Sequence, residues 1–335
     1  DLVWLLYGLT AVHVGTASCF FTARKAMLPD IVEGRILGTA NALTAATWSV
    51  MLAVAAGLGG FATGLLGVHA ALTIDAATFF LSAALVAQIR WKPQLTEDRP
   101  TAVKSAFAMF REVIRYLFRT PDILIIALHK TALTLLLGTS FRVVQTAIAE
   151  RIFPVGQQGT ISMGLLFAVA GIGTGLGPLA MRYFTRDDEQ RLRLAIVGGY
   201  VVGGLGLTVS AQLVNLETMV VGAFLAGVGN GILWVFSSQL LLQLVPKSVR
   251  GRVFATEFAF FTLASAAGSA VVGSAIDLPL GMHGLLTTMA TLTLVPCLAW
   301  SFWLAYRAFW QYDDASVKGE SHIAVSSAGP VSDKL

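Results

Sequence analysis

Asp75, Arg142, Gln145, Asn230 and Glu257 each stand inside a long apolar run, and Trp234 follows Asn230 by one helical turn. Polar groups placed this way suit solute contact, proton exchange or charge pairing, because burying a charge is costly and is kept where it serves. Each also has a plainer reading. Asp75 can open a helix or pair with a neighbouring one. Arg142 can snorkel to an interface or contact a substrate anion or a gate, with Gln145 on its face three residues on. Glu257 can pair with a gating Arg or carry a proton. Asn230, among Gly227, Gly229 and Gly231, marks a closely packed polar point, and Trp234 can face a cavity. His129 and Lys130 sit near one end of their run, where snorkelling is expected.

The five His residues, at 13, 69, 129, 283 and 322, are scattered, and Cys19 and Cys297 lie far apart in apolar runs. No metal spacing or disulfide framework follows. No catalytic residue, cofactor or metal is therefore expected, and the protein is expected not to be an enzyme. Gly171-Ile-Gly173-Thr-Gly175-Leu-Gly177 has the look of a dinucleotide loop but lacks a preceding strand, so helix packing is expected of it.

These residues need elements that can carry them through an apolar solvent. Hydrophobic residues form 56% of the 335, and charged residues only 13%, about half the share of a soluble domain. Nine segments reach spanning length, at about 2–28, 41–66, 69–90, 123–149, 159–184, 192–213, 217–245, 253–276 and 284–308. The expected fold class is an all-α polytopic membrane protein. The basic balance, +4, lies in short clusters between the runs, which favours a membrane over nucleic acid.

If residue 1 lies outside and each segment crosses once, 20 of the 23 Lys and Arg residues fall on inside ends. The exceptions are Lys130, Arg142 and Arg151, all on or beside the fourth segment. This sorting leads to an expected cytoplasmic C-terminus. Residues 92–121 form one long connection in which Phe107, Phe110, Ile114, Leu117 and Phe118 take helical spacing, as in an amphipathic surface helix. Residues 313–335 read as a disordered cytoplasmic tail.

The sequence repeats itself. Pro29-Asp-Ile-Val-Glu-Gly34-Arg35 matches Pro246-Lys-Ser-Val-Arg-Gly251-Arg252 at an offset of 217, and Gly67-Val68-His69 matches Gly281-Met282-His283 at 214. Proline ends a helix, glycine permits the reversal, and Arg35 and Arg252 can bond helix-end carbonyls or lipid phosphates. Both copies share orientation, as in a parallel repeat of two six-helix halves. Three segments precede the second copy's match within its half, so three are expected to be absent from the first half, giving nine of twelve. The division is then 1–91 for helices 4–6, 92–121 for the linker, 122–312 for helices 7–12, and 313–335 for the tail.

Met27-Leu-Pro-Asp-Ile-Val-Glu-Gly-Arg-Ile-Leu-Gly-Thr-Ala-Asn41-Ala-Leu43 resembles the entry to the fifth helix of major facilitator transporters, in the drug-efflux branch with the enterobactin exporter and macrolide efflux proteins. Ile74-Asp75-Ala-Ala-Thr78-Phe79 is similar to that branch's sixth helix. Where the branch often carries Gly-Pro-x-x-Gly-Gly, this chain has Ala55-Ala56-Gly57-Leu58-Gly59-Gly60: the Gly pair is kept for helix packing and the Gly-Pro is replaced. Gly177-Pro178-Leu-Ala-Met-Arg182 resembles a degenerate second copy of the family's cytoplasmic loop motif, implying a brace at the inward gate together with Gly34, Arg35, Gly251 and Arg252. The resemblance implies a major facilitator fold and proton-coupled efflux of an amphipathic drug or siderophore by a monomer. Its partners would be that small molecule, protons and membrane lipids, without nucleic acid. The alternative is a lysophospholipid flippase or a solute importer of the same fold.

Overall fold

The computed structural model describes the backbone over residues 65–88, 102–186 and 188–327, with shorter stretches and single residues between 4 and 62. Side chains are described over most of 111–309. The described residues contain helices and turns and no strand. The helices are α1 (Val68–Ala87), α2 (Ala102–Arg119), α3 (Pro121–Leu136), α4 (Thr139–Arg151), α5 (Thr160–Thr185), α6 (Glu189–Ala211), α7 (Leu216–Leu244), α8 (Lys247–Ala275) and α9 (Gly281–Ser327). Seven stretches among the described residues are long and apolar enough to span a bilayer: 69–87, 121–151, 157–185, 189–211, 216–244, 249–275 and 281–309. The last six coincide with the segments expected from hydropathy. The expected segment 2–28 is described in part, as helix at residues 4–5, 7–17 and 20, while 41–66 lies largely outside the described residues, as do Gly34, Arg35, Gly57 and Gly60.

From Pro121 onward the chain crosses back and forth six times. Pro121, Thr185, Glu189, Leu244 and Lys247 therefore gather at one face, called the basic end below. Arg151, Ala211, Leu216, Ala275 and Gly281 gather at the other. The reversals have local causes. Asp188 caps α6 by accepting from the Arg191 amide at 2.8 Å, and Asn215 caps α7 by accepting from the Thr218 amide at 2.8 Å. Pro246 stands at the N-cap of α8, where its missing N–H costs nothing. Arg250 closes the preceding turn by donating to the Val245 carbonyl at 3.1 and 3.2 Å.

Helix α7 is the centre of the bundle and lies against both α5 and α6. In lipid there is little hydrophobic drive between helices, so close backbone approach matters more. A Cβ at Gly227 would run into the Ala170 carbonyl, and one at Gly231 into the Thr174 carbonyl, both on α5. Thr174 uses the same approach to donate to the Gly227 carbonyl at 3.2 Å. Gly173 and Gly177, from the run that imitates a nucleotide loop, face Phe224 and Val228 of α7. A Cβ at Gly175 would meet nothing within 4 Å, and the same holds at Gly59 among the described residues.

Three expectations change. The fourth segment, expected as one helix over 123–149, breaks at Leu137–Gly138. Leu137 N and Gly138 N both bond the Leu133 carbonyl (2.8 and 2.9 Å), and the helix restarts with Arg142 N on the Gly138 carbonyl at 3.2 Å. A Cβ at Gly138 would come within 2.9 Å of Thr134 Cα, so glycine is what lets the chain fold in this tightly. The linker helix α2 is not merely laid on a membrane surface. Val113 and Leu117 are buried against the bundle, while Phe118 turns outward. Helix α9 continues to Ser327, past residue 313 where a disordered tail is expected. No proline interrupts it after Pro296.

The glycine contacts predict a contrast on facing helices. Gly231→Ala should lower stability by about 1–3 kcal/mol, because backbone must move to admit the methyl. Gly175→Ala should not lower it. Thermal unfolding of the purified protein in detergent reads both.

Candidate functional site

Lys130 on α3, Trp234 on α7 and Glu257 on α8 lie nine or ten residues from the helix ends at Pro121, Leu244 and Lys247. At about 1.5 Å per residue, all three stand roughly 15 Å inward from the basic end. That is about half the thickness of a hydrocarbon core of ~30 Å. They meet there. Lys130 Nζ is 3.0 Å from Glu257 Oε1, with the two side chains only 8% and 2% exposed. The ammonium sits 4.6 Å from the centre of the Trp234 ring and 5.8 Å from that of Phe254, so two π faces back the carboxylate as counter-charge. Phe261 packs edge-on to Trp234 at 5.2 Å, and Phe258 adjoins it at 5.8 Å.

Lys130 and His129 thus do not snorkel. His129 Nδ1 lies 2.9 Å from the Tyr200 hydroxyl, and its ring meets Trp300 edge-on at 4.6 Å. Glu257 pairs with a Lys of a spanning helix and not with a gating Arg.

A second polar group lines the break between α3 and α4. Ser265 of α8 donates to Thr139 Oγ1 at 2.8 Å, and Thr134 Oγ1 is 3.2 Å from Thr139 Oγ1. Ser140, fully buried, has no hydrogen-bond partner for its hydroxyl among the described residues. Gly268 of α8 lies so close that a Cβ would strike Ser140 Oγ. Helix α8 therefore contacts the broken segment on both sides of the break, by ion pair below it and by hydroxyls at it.

Arg142 and Gln145 part company. Arg142 is exposed, with its guanidinium 6.0 Å from the Phe167 ring of α5. Gln145 is buried at 1% exposure, and its amide nitrogen has no partner among the described residues. Asn230 is half-buried on α7 between the glycine contacts. Asp75 lies on α1, where its side chain is exposed and its carbonyl accepts from the Thr78 hydroxyl at 2.7 Å. The described contacts bring Asp75 to none of the other candidates.

At the basic end, Arg252 Nη1 binds Glu112 of α2 at 2.9 Å, Gly251 is exposed, and Arg182 is exposed on α5. A larger ionic group there joins α3, α6 and α9. Arg193 donates to both oxygens of Asp122 (2.8 and 2.6 Å) and to Glu189 (3.0 Å). Arg307 and Trp303 also donate to Asp122, at 2.9 and 3.0 Å. Trp300 donates to the Arg193 carbonyl at 3.0 Å. From the sequence, Arg193 is only one of the 20 Lys and Arg residues that fall on inside ends. The signal overlooked was Asp122 following Pro121, an acid where every neighbouring charge is positive.

The three charges that break the inside-positive sorting now separate. Lys130 has Glu257. Arg151 has Asp277, at 2.7 Å across an exposed turn. Arg142 has no carboxylate within ion-pair distance among the described residues.

A family model described as Major Facilitator Superfamily matches residues 2–214. An uncharacterized MFS-type transporter, y4rN, of Sinorhizobium fredii is 25% identical over 279 residues, which is 81% of this chain and 67% of that protein. The 4-hydroxybenzoate transporter PcaK of Pseudomonas aeruginosa is 31% identical over 139 residues, 40% of this chain and 29% of that protein. The chain thus aligns with about two thirds of the first relative's length and under a third of the second's.

Removing one partner of the buried pair leaves the other charge unpaired. Lys130→Met should cost about 3–5 kcal/mol, while Lys130→Met with Glu257→Leu should recover most of that loss. Thermal unfolding of the single and double variants measures the difference.

Proposed function

The chain belongs to the Major Facilitator Superfamily, and on that premise we propose that it moves amphipathic small molecules across a membrane by alternating access, driven by protons. The observation that carries this reading is the Lys130–Glu257 pair, closed at 3.0 Å beneath the Trp234 ring. A buried ion pair that is only structural is commonly replaceable by apolar packing. One on spanning helices at about half the hydrocarbon depth suits a coupling centre.

The chemistry follows from the partners. While the pair is closed, the charges cancel. When α3 shifts relative to α8, Glu257 loses its counter-charge and takes a proton from the open side, becoming a neutral acid. The Lys130 ammonium keeps the face of Trp234, on α7, against it, while Phe254 leaves with α8, so opening the pair does not strip the cation of every partner. Closing returns the proton. The break at Gly138 supports this reading by giving the fourth segment a joint close to the pair.

The inside-positive sorting supports a basic end and C-terminus in the cytoplasm, and the resemblance to the efflux branch supports a bacterial inner membrane. The efflux-branch motifs around Asn41 and Asp75 support export by a monomer. The alternative reading is import of a small solute by the same fold; the match to a protein named for 4-hydroxybenzoate transport supports a small aromatic acid as the solute in either direction.

Full-length protein reconstituted in vesicles, with a labelled amphipathic solute and an imposed pH gradient, tests the proposal. Movement against the solute gradient should collapse with a protonophore. Glu257→Gln should leave only downhill movement that ignores pH. Transport indifferent to the gradient in the unmodified protein would sink proton coupling, and the sidedness of the productive gradient decides export against import.

A further inference from the structure

We infer that α4 is the binding wall for the charged end of the substrate, and that the substrate is an organic anion whose carboxylate or other oxyanion is held by Arg142. Charge accounting leads there. The segment from Pro121 to Arg151 carries three cations. Lys130 is neutralised by Glu257 and Arg151 by Asp277, each within 3.0 Å. Arg142 alone of the three has no carboxylate partner among the described residues, although it stands nine residues, about 14 Å at 1.5 Å per residue, inside the Arg151 end. A permanent guanidinium charge at that depth calls for a counter-anion.

The helix around it is built for solute and not for lipid. Thr139, Ser140, Arg142, Gln145, Thr146, Glu150 and Arg151 make seven of its thirteen residues polar, whereas α5 beside it is largely Gly, Ala, Leu and Ile. Gln145, one turn beyond Arg142, is almost fully buried with its amide nitrogen unpartnered among the described residues. A buried donor without an acceptor is costly, and it leaves α4 with an unsatisfied polar group behind the face on which Arg142 is exposed. Phe167 adds an aromatic ring at 6.0 Å from the guanidinium, a surface for the apolar part of the molecule. The fork of Arg matches a planar carboxylate by two parallel hydrogen bonds, which a neutral or cationic solute cannot reproduce.

This inference rests on the transport reading for its biological sense, but binding can be measured without transport, so the two can fail separately. Purified full-length protein in a maltoside detergent, which offers no phosphate, is titrated with two matched pairs: 2-naphthoate against 2-naphthamide, and decanoate against decanamide. The acids should bind at least tenfold more tightly than their amides. Arg142→Gln should erase that preference by weakening the acids much more than the amides, and Arg142→Lys should keep part of it. Equal affinity for acids and amides in the unmodified protein overturns the inference. So does an acid preference that survives Arg142→Gln. If Arg142→Gln instead weakens only the retention of lipid phosphate, Arg142 is a headgroup contact and the inference also falls. An Arg142→Gln protein that does not fold leaves the acid–amide comparison and Arg142→Lys to decide.

Discussion

A charge inside an apolar medium has to be neutralised where it stands, and the arrangement of this bundle follows from that. Glu257 is 2% exposed and has no water to fall back on, so α8 must bring it to Lys130 and α3 must present Lys130 at the same depth. Trp234 then fixes α7 against both. The same demand is met differently at the basic end. Asp122 there is bound by Arg193, Arg307 and Trp303, and partial exposure relaxes the requirement enough for four ionised side chains to share one site.

Between these two charge groups the contacts are of two kinds. Helices α5, α6 and α7 touch through glycine, backbone to backbone, and contacts that close leave little room to slide. The broken segment and α8 touch instead through an ion pair and a chain of hydroxyls, which can exchange partners without opening a void. The bundle therefore pairs a stiff unit with a seam that has alternative arrangements, the kind of bistable element that switching needs.

Much of this was legible in the sequence because membrane crossing is a length and composition problem. The six spanning stretches after Pro121 lie within a few residues of their expected positions, and the glycine run at 171–177 packs a helix as its context requires. The break at Gly138 was not legible. A single glycine in an apolar run is tolerated in an unbroken helix, and only the approach of Thr134 shows why this one is not. The Lys130–Glu257 pair was half legible. Glu257 stood out and so did Lys130, but they are separated by 127 positions, and spacing alone has no term for who meets whom. The charge sorting came closest, since its three exceptions are the residues whose partners matter most. Gln145 shows the limit of face arguments. It is three residues from Arg142, yet one is buried and the other exposed.

The distance between Lys130 and Glu257 along the chain also constrains how the protein is made. Synthesis at about 5–20 residues per second separates their emergence by roughly 6–25 s. Through that interval α3 sits in or beside the insertion machinery with an ammonium whose counter-charge does not yet exist, at a position worth about 2.5–3.5 kcal/mol against insertion. The growing chain must hold its fourth segment provisionally, with Lys130 still solvated or lent a lipid phosphate. It can commit that segment to its final depth only after α8 has arrived, so a later helix decides where an earlier one comes to rest.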